Sequence, residues 1–215
     1  MFEWWPGTEL NCRHYDFQSY ALPTELPGRR SRETARGSSS LYQTSLMDAT
    51  SREVLWGQFG AAIDMLENAI RACPDALWSD RARTPEFWYL AYHTLFFLDL
   101  YLHDAVDGFA PPAPFTLDEL DPSGVMPDRV YAKRELLSYL EHGRHLARTR
   151  IAALSAETAV QRCRYGWKDV THLESLLSNM RHVQHHTAQL NLLLRQSTDS
   201  APEWVTTSRS TLSGE

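Results

Sequence analysis

At 215 residues, with 43% hydrophobic side chains and a formal charge of −6, the chain is long enough for one domain with a packed core and too apolar for wholesale disorder. Its basic residues are scattered rather than gathered in a stripe, which argues against nucleic acid as the main partner. Three widely spaced cysteines, Cys12, Cys73 and Cys163, make neither a disulfide framework nor a cysteine zinc site, so a reducing, cytoplasmic setting is expected.

The most apolar stretch, Phe87 to Leu102, is interrupted by His93 and Asp99 and falls short of the ~20 residues that span a bilayer. No membrane partner is expected. The N-terminus has no basic region followed by an apolar run, so no signal peptide is read there. Residues 1–46 carry Pro6, Pro23, Pro27 and the serine run Ser38 to Ser40 without any helical or strand period. The segment Trp4 to His14 resembles a peptide that recurs at the start of translations reading through non-coding DNA. Residues 1–46 are therefore expected to be an irregular leader, with Met47 as the natural start.

A regular pattern begins at residue 50. Thr50 and Glu53 have the spacing of a capping box, and Leu55, Phe59, Ala62, Leu66, Ala69 and Cys73 follow at three- and four-residue intervals until Pro74. That is the first helix. Thr84 as cap and Pro85 at the first helical position open the second, which runs to about His103. A proline-rich linker of about 26 residues follows, too long for a tight helical hairpin. It predicts a crossover that leaves the second and third helices parallel.

The third helix covers roughly Ala132 to Leu154, with Leu136, Leu140, Gly143, Ala147, Ile151 and Leu154 inward. Thr171 and Glu174 form another capping box and open the fourth, which continues to about Arg195. The remainder, 197–215, is rich in Ser and Thr and reads as a frayed tail, with Trp204 as its one anchor. No strand alternation and no repeat is visible. The expected class is all-α, a four-helix bundle over residues 47–196 with a long crossover between helices two and three.

Nine histidines need sorting. At about 100° per residue, Tyr89, Leu90, Phe97 and Leu100 lie within roughly 60° of His93, while the polar arc of that helix falls around Tyr92, Asp99 and His103. His93 therefore points into the core, where an unpartnered imidazole costs on the order of 1–3 kcal/mol. A buried hydrogen bond to a tyrosine or a backbone carbonyl would satisfy it. So would a metal. On the fourth helix His182 and His186 are four apart and share a face leaning towards Val183, Leu190 and Leu193. His185 turns away to solvent.

Three imidazoles on two helices then have one common explanation, a metal ion on His93, His182 and His186. His142 and His145, beside Glu141, Arg144 and Arg148, read as a solvated face, and His103 suits the negative end of a helix dipole. Three nitrogen ligands leave a coordination position open. The paired Glu-x-x-His motifs of a di-iron bundle are absent, as is a His-Glu-x-x-His motif. The expected cofactor is one divalent transition metal, zinc, nickel, iron or manganese. No residue is assigned a catalytic role, and none of the cysteines is proposed as a nucleophile.

At these residues the chain resembles the DinB/YfiT-like family of four-helix bundles. The resemblance covers about residues 50–196 and rests on Leu55-Trp56-Gly57-Gln58-Phe59, on His93, and on the segment from His182 to Leu190. The family's usual form of that segment has Arg-Gly-Gln-Leu after the second histidine. Here Thr187 and Ala188 replace the first two, while Gln189 and Leu190 match. The resemblance implies a metal on His93, His182 and His186, a homodimer, and metal-dependent chemistry on a small-molecule substrate, in some relatives with a low-molecular-weight thiol such as bacillithiol or mycothiol. Gln189 is the residue expected to support the site by orienting the bound group. The competing expectation is a non-catalytic, metal-stabilised bundle that works as an interaction or stress-response protein, with Trp56, Trp88 and Tyr92 as its surface.

Overall fold

The computed structural model describes residues 48–212. Four long helices carry the fold: α1 (Ala49–Ala72), α3 (Phe87–Leu100), α4 (Lys133–Ala152) and α6 (His172–Thr198). Two single-turn helices, α2 (Asp75–Trp78) and α5 (Ala156–Ala159), lie between them. The fold is all-α, as the periodicity predicts, apart from a small antiparallel hairpin of β1 (Arg162–Arg164) and β2 (Asp169–Thr171). That hairpin is a correction to the reading without strands. Three residues per strand are too few to show an alternation, and its ladder is held by side chains as well: Arg162 donates to the Asp169 carboxylate across the pair at 2.8 Å.

Each of α1 and α3 packs against both α4 and α6. Cross-helix contacts give the directions. On α1 and α4, Arg52 reaches Leu154, Asp64 meets Arg144, and Cys73 meets Lys133, so this pair is antiparallel. Trp88 and Tyr92 touch Tyr131 just before α4, whereas Asp99 meets Tyr139 further along, so α3 and α4 run parallel. The proline-rich segment is the crossover that this direction requires. Helices α3 and α6 are antiparallel: His93 stands opposite His186, Leu98 opposite Asn179, and Tyr101 opposite Ser175. Gly143 makes the parallel pair close, because a Cβ there would come within 2.9 Å of Leu98 Cδ2.

The predicted inward residues of α1 and α4 are all buried. Helix α3 departs from its predicted polar arc, since Tyr92 and Asp99 are buried too and only its first turn reaches the surface. It is the central helix, covered on one side by the crossover through Phe115 and Tyr131. Trp56, Trp88 and Tyr92, weighed above as an interaction surface, are core residues.

The last carbonyls of α3 would be orphans. Asn179 Nδ2 of α6 donates to Leu98 O at 2.9 Å, the backbone N–H groups of Tyr101, Leu102 and His103 take Phe97 O, Asp99 O and Leu100 O, and just beyond the helix the Tyr165 hydroxyl donates to His103 O at 2.6 Å. The capping box of Thr171 and Glu174 opens α6 as predicted. At the other starts the structure differs. Asp48, not Thr50, caps α1, accepting from Ser51 N at 2.7 Å. Glu86 precedes α3 in place of Thr84, because its carboxylate is held by Trp88 Nε1 and Arg81.

The tail is not frayed over the described residues. It returns along α1: Trp56 Nε1 donates to Ser210 O at 2.9 Å, Ser208 N to Gly57 O at 2.8 Å, and Arg209 N to the Asp64 carboxylate at 2.9 Å. Trp204, read as the anchor, is exposed. The seat is instead the glycine pair of α1, a bare patch of helix on which backbone can lie. A Cβ on Gly60 would stand 2.5 Å from Ser208 Oγ. Gly60→Ala should therefore destabilise the full chain by about 1–3 kcal/mol through overpacking. In a chain cut after residue 199 the same substitution should stabilise by about 1 kcal/mol, the helical preference of alanine over glycine. Thermal melts of the four proteins check the reversal of sign.

Candidate metal centre

The antiparallel seam between α3 and α6 places His93 opposite the turn His182 to His186. Ring centroids are 5.5 Å apart for His93 and His182, 4.9 Å for His93 and His186, and 4.5 Å for His182 and His186. One nitrogen from each ring lies within 4.8 Å of the others. His93 is fully buried, and His186 nearly so. Phe97 packs against both His93 and His182, and Tyr101 closes the far side of His182, so the ligand set sits behind aromatic walls.

The hydrogen bonds sort the ring nitrogens. His93 Nδ1 is 2.7 Å from Glu119 Oε2, with both side chains wholly buried. Its Nε2 is buried and has no hydrogen-bond partner. His186 Nδ1 lies 2.6 Å from Gln189 Oε1, an acceptor, so that nitrogen carries the proton and Nε2 holds the lone pair. His182 has no partner at either buried nitrogen. Unsatisfied buried groups cost about 1–3 kcal/mol each, and those of His93 and His182 stand beside the free lone pair of His186. A divalent ion satisfies such a set. With bonds of about 2.0–2.1 Å to imidazole, the nitrogens need to close by roughly an ångström from where they stand. The residues fit a metal, and among the described residues no fourth His, Cys, Asp or Glu joins the three.

The model of the DinB superfamily matches residues 29–190, three quarters of the chain and all three histidines. The chain belongs to the DinB superfamily. No curated protein and no solved structure matches it. The match reaches back into the segment read as a leader, which lies outside the described residues. Among those residues no helix is long and apolar enough to cross a membrane.

Within this DinB bundle the structure supplies a residue that periodicity could not. Glu119 sits in a one-turn 3₁₀ helix, Asp118–Leu120, within the crossover. It tucks its carboxylate under α3, where the Tyr89 hydroxyl also bears on it. Carboxylate on Nδ1 fixes the tautomer of His93 and makes its other nitrogen a better ligand. The only sequence sign was an acidic pair, Asp118 and Glu119, set between Leu117 and Leu120. Gln189, expected to orient the bound group, lies one turn beyond the ligand pair, with its carbonyl oxygen on His186. His185 is exposed, as read. Cys73 and Cys163 are buried, and burial pushes the Cys73 thiol up to about 12, which leaves it unreactive. Cys12 lies outside the described residues.

Burial, reinforced by the neighbouring imidazoles, holds His182 well below the usual histidine range and lowers His186 to about 3. Both ligands are thus neutral and ready for a cation. In the metal-free protein the unfolded chain takes up protons below about pH 6.5 that the folded chain refuses. The stability these groups contribute is complete above that pH and declines as pH falls towards 3. Between pH 6.5 and 5 the metal-free protein should lose up to about 1.4 kcal/mol per pH unit for each such histidine. Denaturant unfolding should show a shallower pH slope for His186→Gln. Replacing Glu119 by Gln should weaken metal affinity by about 10–100-fold, measured by competition with a chromophoric chelator.

Proposed function

We propose that this DinB protein is a metal-dependent enzyme that activates a low-molecular-weight thiol for group transfer, or a water for hydrolysis, at His93, His182 and His186. The observation that carries the proposal is the set of three imidazoles with a nitrogen from each within 4.8 Å of the others, with buried unsatisfied nitrogens on His93 and His182 and no fourth His, Cys, Asp or Glu joining them among the described residues. With a divalent ion in place, three neutral ligands leave its charge uncancelled, which favours the thiolate of a thiol or the deprotonation of a water near neutral pH.

The chain's own groups prepare the site. Glu119 keeps the proton of His93 on Nδ1, and Gln189 does the same for His186. Phe97 and Tyr101 keep bulk water from the ligand rings, which strengthens every electrostatic interaction inside. The buried cysteines offer no competing nucleophile, so a thiol reactant has to come from solution. A reducing, cytoplasmic compartment suits such a cosubstrate, and a homodimer is consistent with the reading.

The test pairs metal content with turnover. Untagged protein should hold metal that His182→Gln loses, and the same substitution should abolish activity in a panel of thiol transfers and ester hydrolyses, a loss of at least about a hundredfold. Metal lost together with thermal stability, in a protein inactive across the whole panel, would establish a structural clip instead.

A further inference from the structure

A second cluster of ligand-type side chains lies on the opposite flank of α3. Asp99 follows His93 by six residues, a turn of about 240°, and so faces the α4 seam. Its carboxylate is buried, with the residue 1% exposed. Oδ2 accepts from the Tyr139 hydroxyl at 3.1 Å. Oδ1 is buried and has no hydrogen-bond partner. Two imidazoles flank that oxygen: His103 Nε2, just beyond the end of α3, and His142 Nε2, on α4, each at 3.4 Å. Among the described residues no lysine or arginine lies within ion-pair distance of Asp99.

A buried carboxylate needs its charge met. The two imidazoles stand too far off to do so as hydrogen-bond donors, for which about 2.7–2.9 Å is usual. The pair of His93 and Glu119, at 2.7 Å, shows what such a bond looks like in the same protein. The longer distance has another meaning. Donors bound at about 2.0–2.2 Å around a tetrahedral ion stand roughly 3.3–3.5 Å apart.

We propose that Asp99, His103 and His142 form a second site, for a late first-row divalent ion such as zinc. Two imidazoles and one carboxylate exclude magnesium and calcium, which take oxygen sets. Both histidine side chains are partly exposed, 38% and 45%, so an ion reaches the carboxylate from solvent. Unlike the three histidines, whose ligand nitrogens all lie within 4.8 Å of one another, this set is joined only through Asp99, so taking an ion requires the two partly exposed imidazoles to turn towards each other. Tyr139 fixes the other carboxylate oxygen and so aims Oδ1. The site joins the end of α3 to α4 at the point where the chain leaves for the crossover, and its role is to pin that junction.

Zinc titration of untagged, metal-stripped protein tests this, with bound zinc counted after gel filtration. Two equivalents are expected in the wild type, and one each in His103→Gln, His142→Gln and His182→Gln. Tyr139→Phe should weaken the second equivalent by about 10–100-fold. The His103 and His142 variants alter partly exposed side chains, and circular dichroism establishes that they fold. A wild type that binds one equivalent, kept by His103→Gln and His142→Gln and lost in His182→Gln, overturns this proposal and leaves the three-histidine centre standing. One equivalent lost in the first two variants and kept in the third supports the second site and removes the first.

Discussion

The seam between α3 and α6 holds imidazole nitrogens that no protein group satisfies, and the surrounding structure is arranged to keep them facing one another. Antiparallel packing sets His93 against the single turn that bears His182 and His186. Asn179 takes the carbonyl of Leu98 near the end of α3, and Tyr165 that of His103 just beyond it, which fixes how far that helix slides along α6. Glu119 and Gln189 each engage the ring nitrogen that faces away from the cluster. The unmet hydrogen-bonding capacity at the centre is a cost that a bound cation would relieve.

The crossover is more than a connection. It covers α3 with Phe115 and Tyr131, which join an aromatic group with Tyr92 and Tyr139, and it delivers a carboxylate to His93. A long segment without periodicity thereby completes the core and tunes the site at once. The tail acts on the other flank of the bundle. It lies on the glycines of α1 and extends an ion network in which Arg144 bridges Asp64 and Glu67. Neither segment has a hydrophobic period, yet both are parts of the packed domain.

Helix α3 organises two kinds of chemistry on two faces. Towards α6 it offers an imidazole among imidazoles. Towards α4 it offers a buried carboxylate flanked by histidines that a reading by helical faces assigns to solvent and to the helix dipole. That assignment is sound for a helix with one wet side. Here the crossover covers Tyr92 and α4 covers Asp99, so both are buried and the polar arc has little solvent to meet.

The four long helices, the inward faces of α1 and α4, the inward direction of His93, and the pairing of His182 with His186 were all legible in the chain, because each depends on spacing along one helix. The DinB resemblance was legible for the same reason, its motifs being local. Tertiary structure alone decided that the three rings converge, that Glu119 partners His93, that the tail docks, that a short hairpin clamps the end of α3, and that Asp99 meets His103 and His142. Those contacts join residues far apart in sequence, or lie in segments whose conformation is set by the surface they rest on rather than by any period of their own.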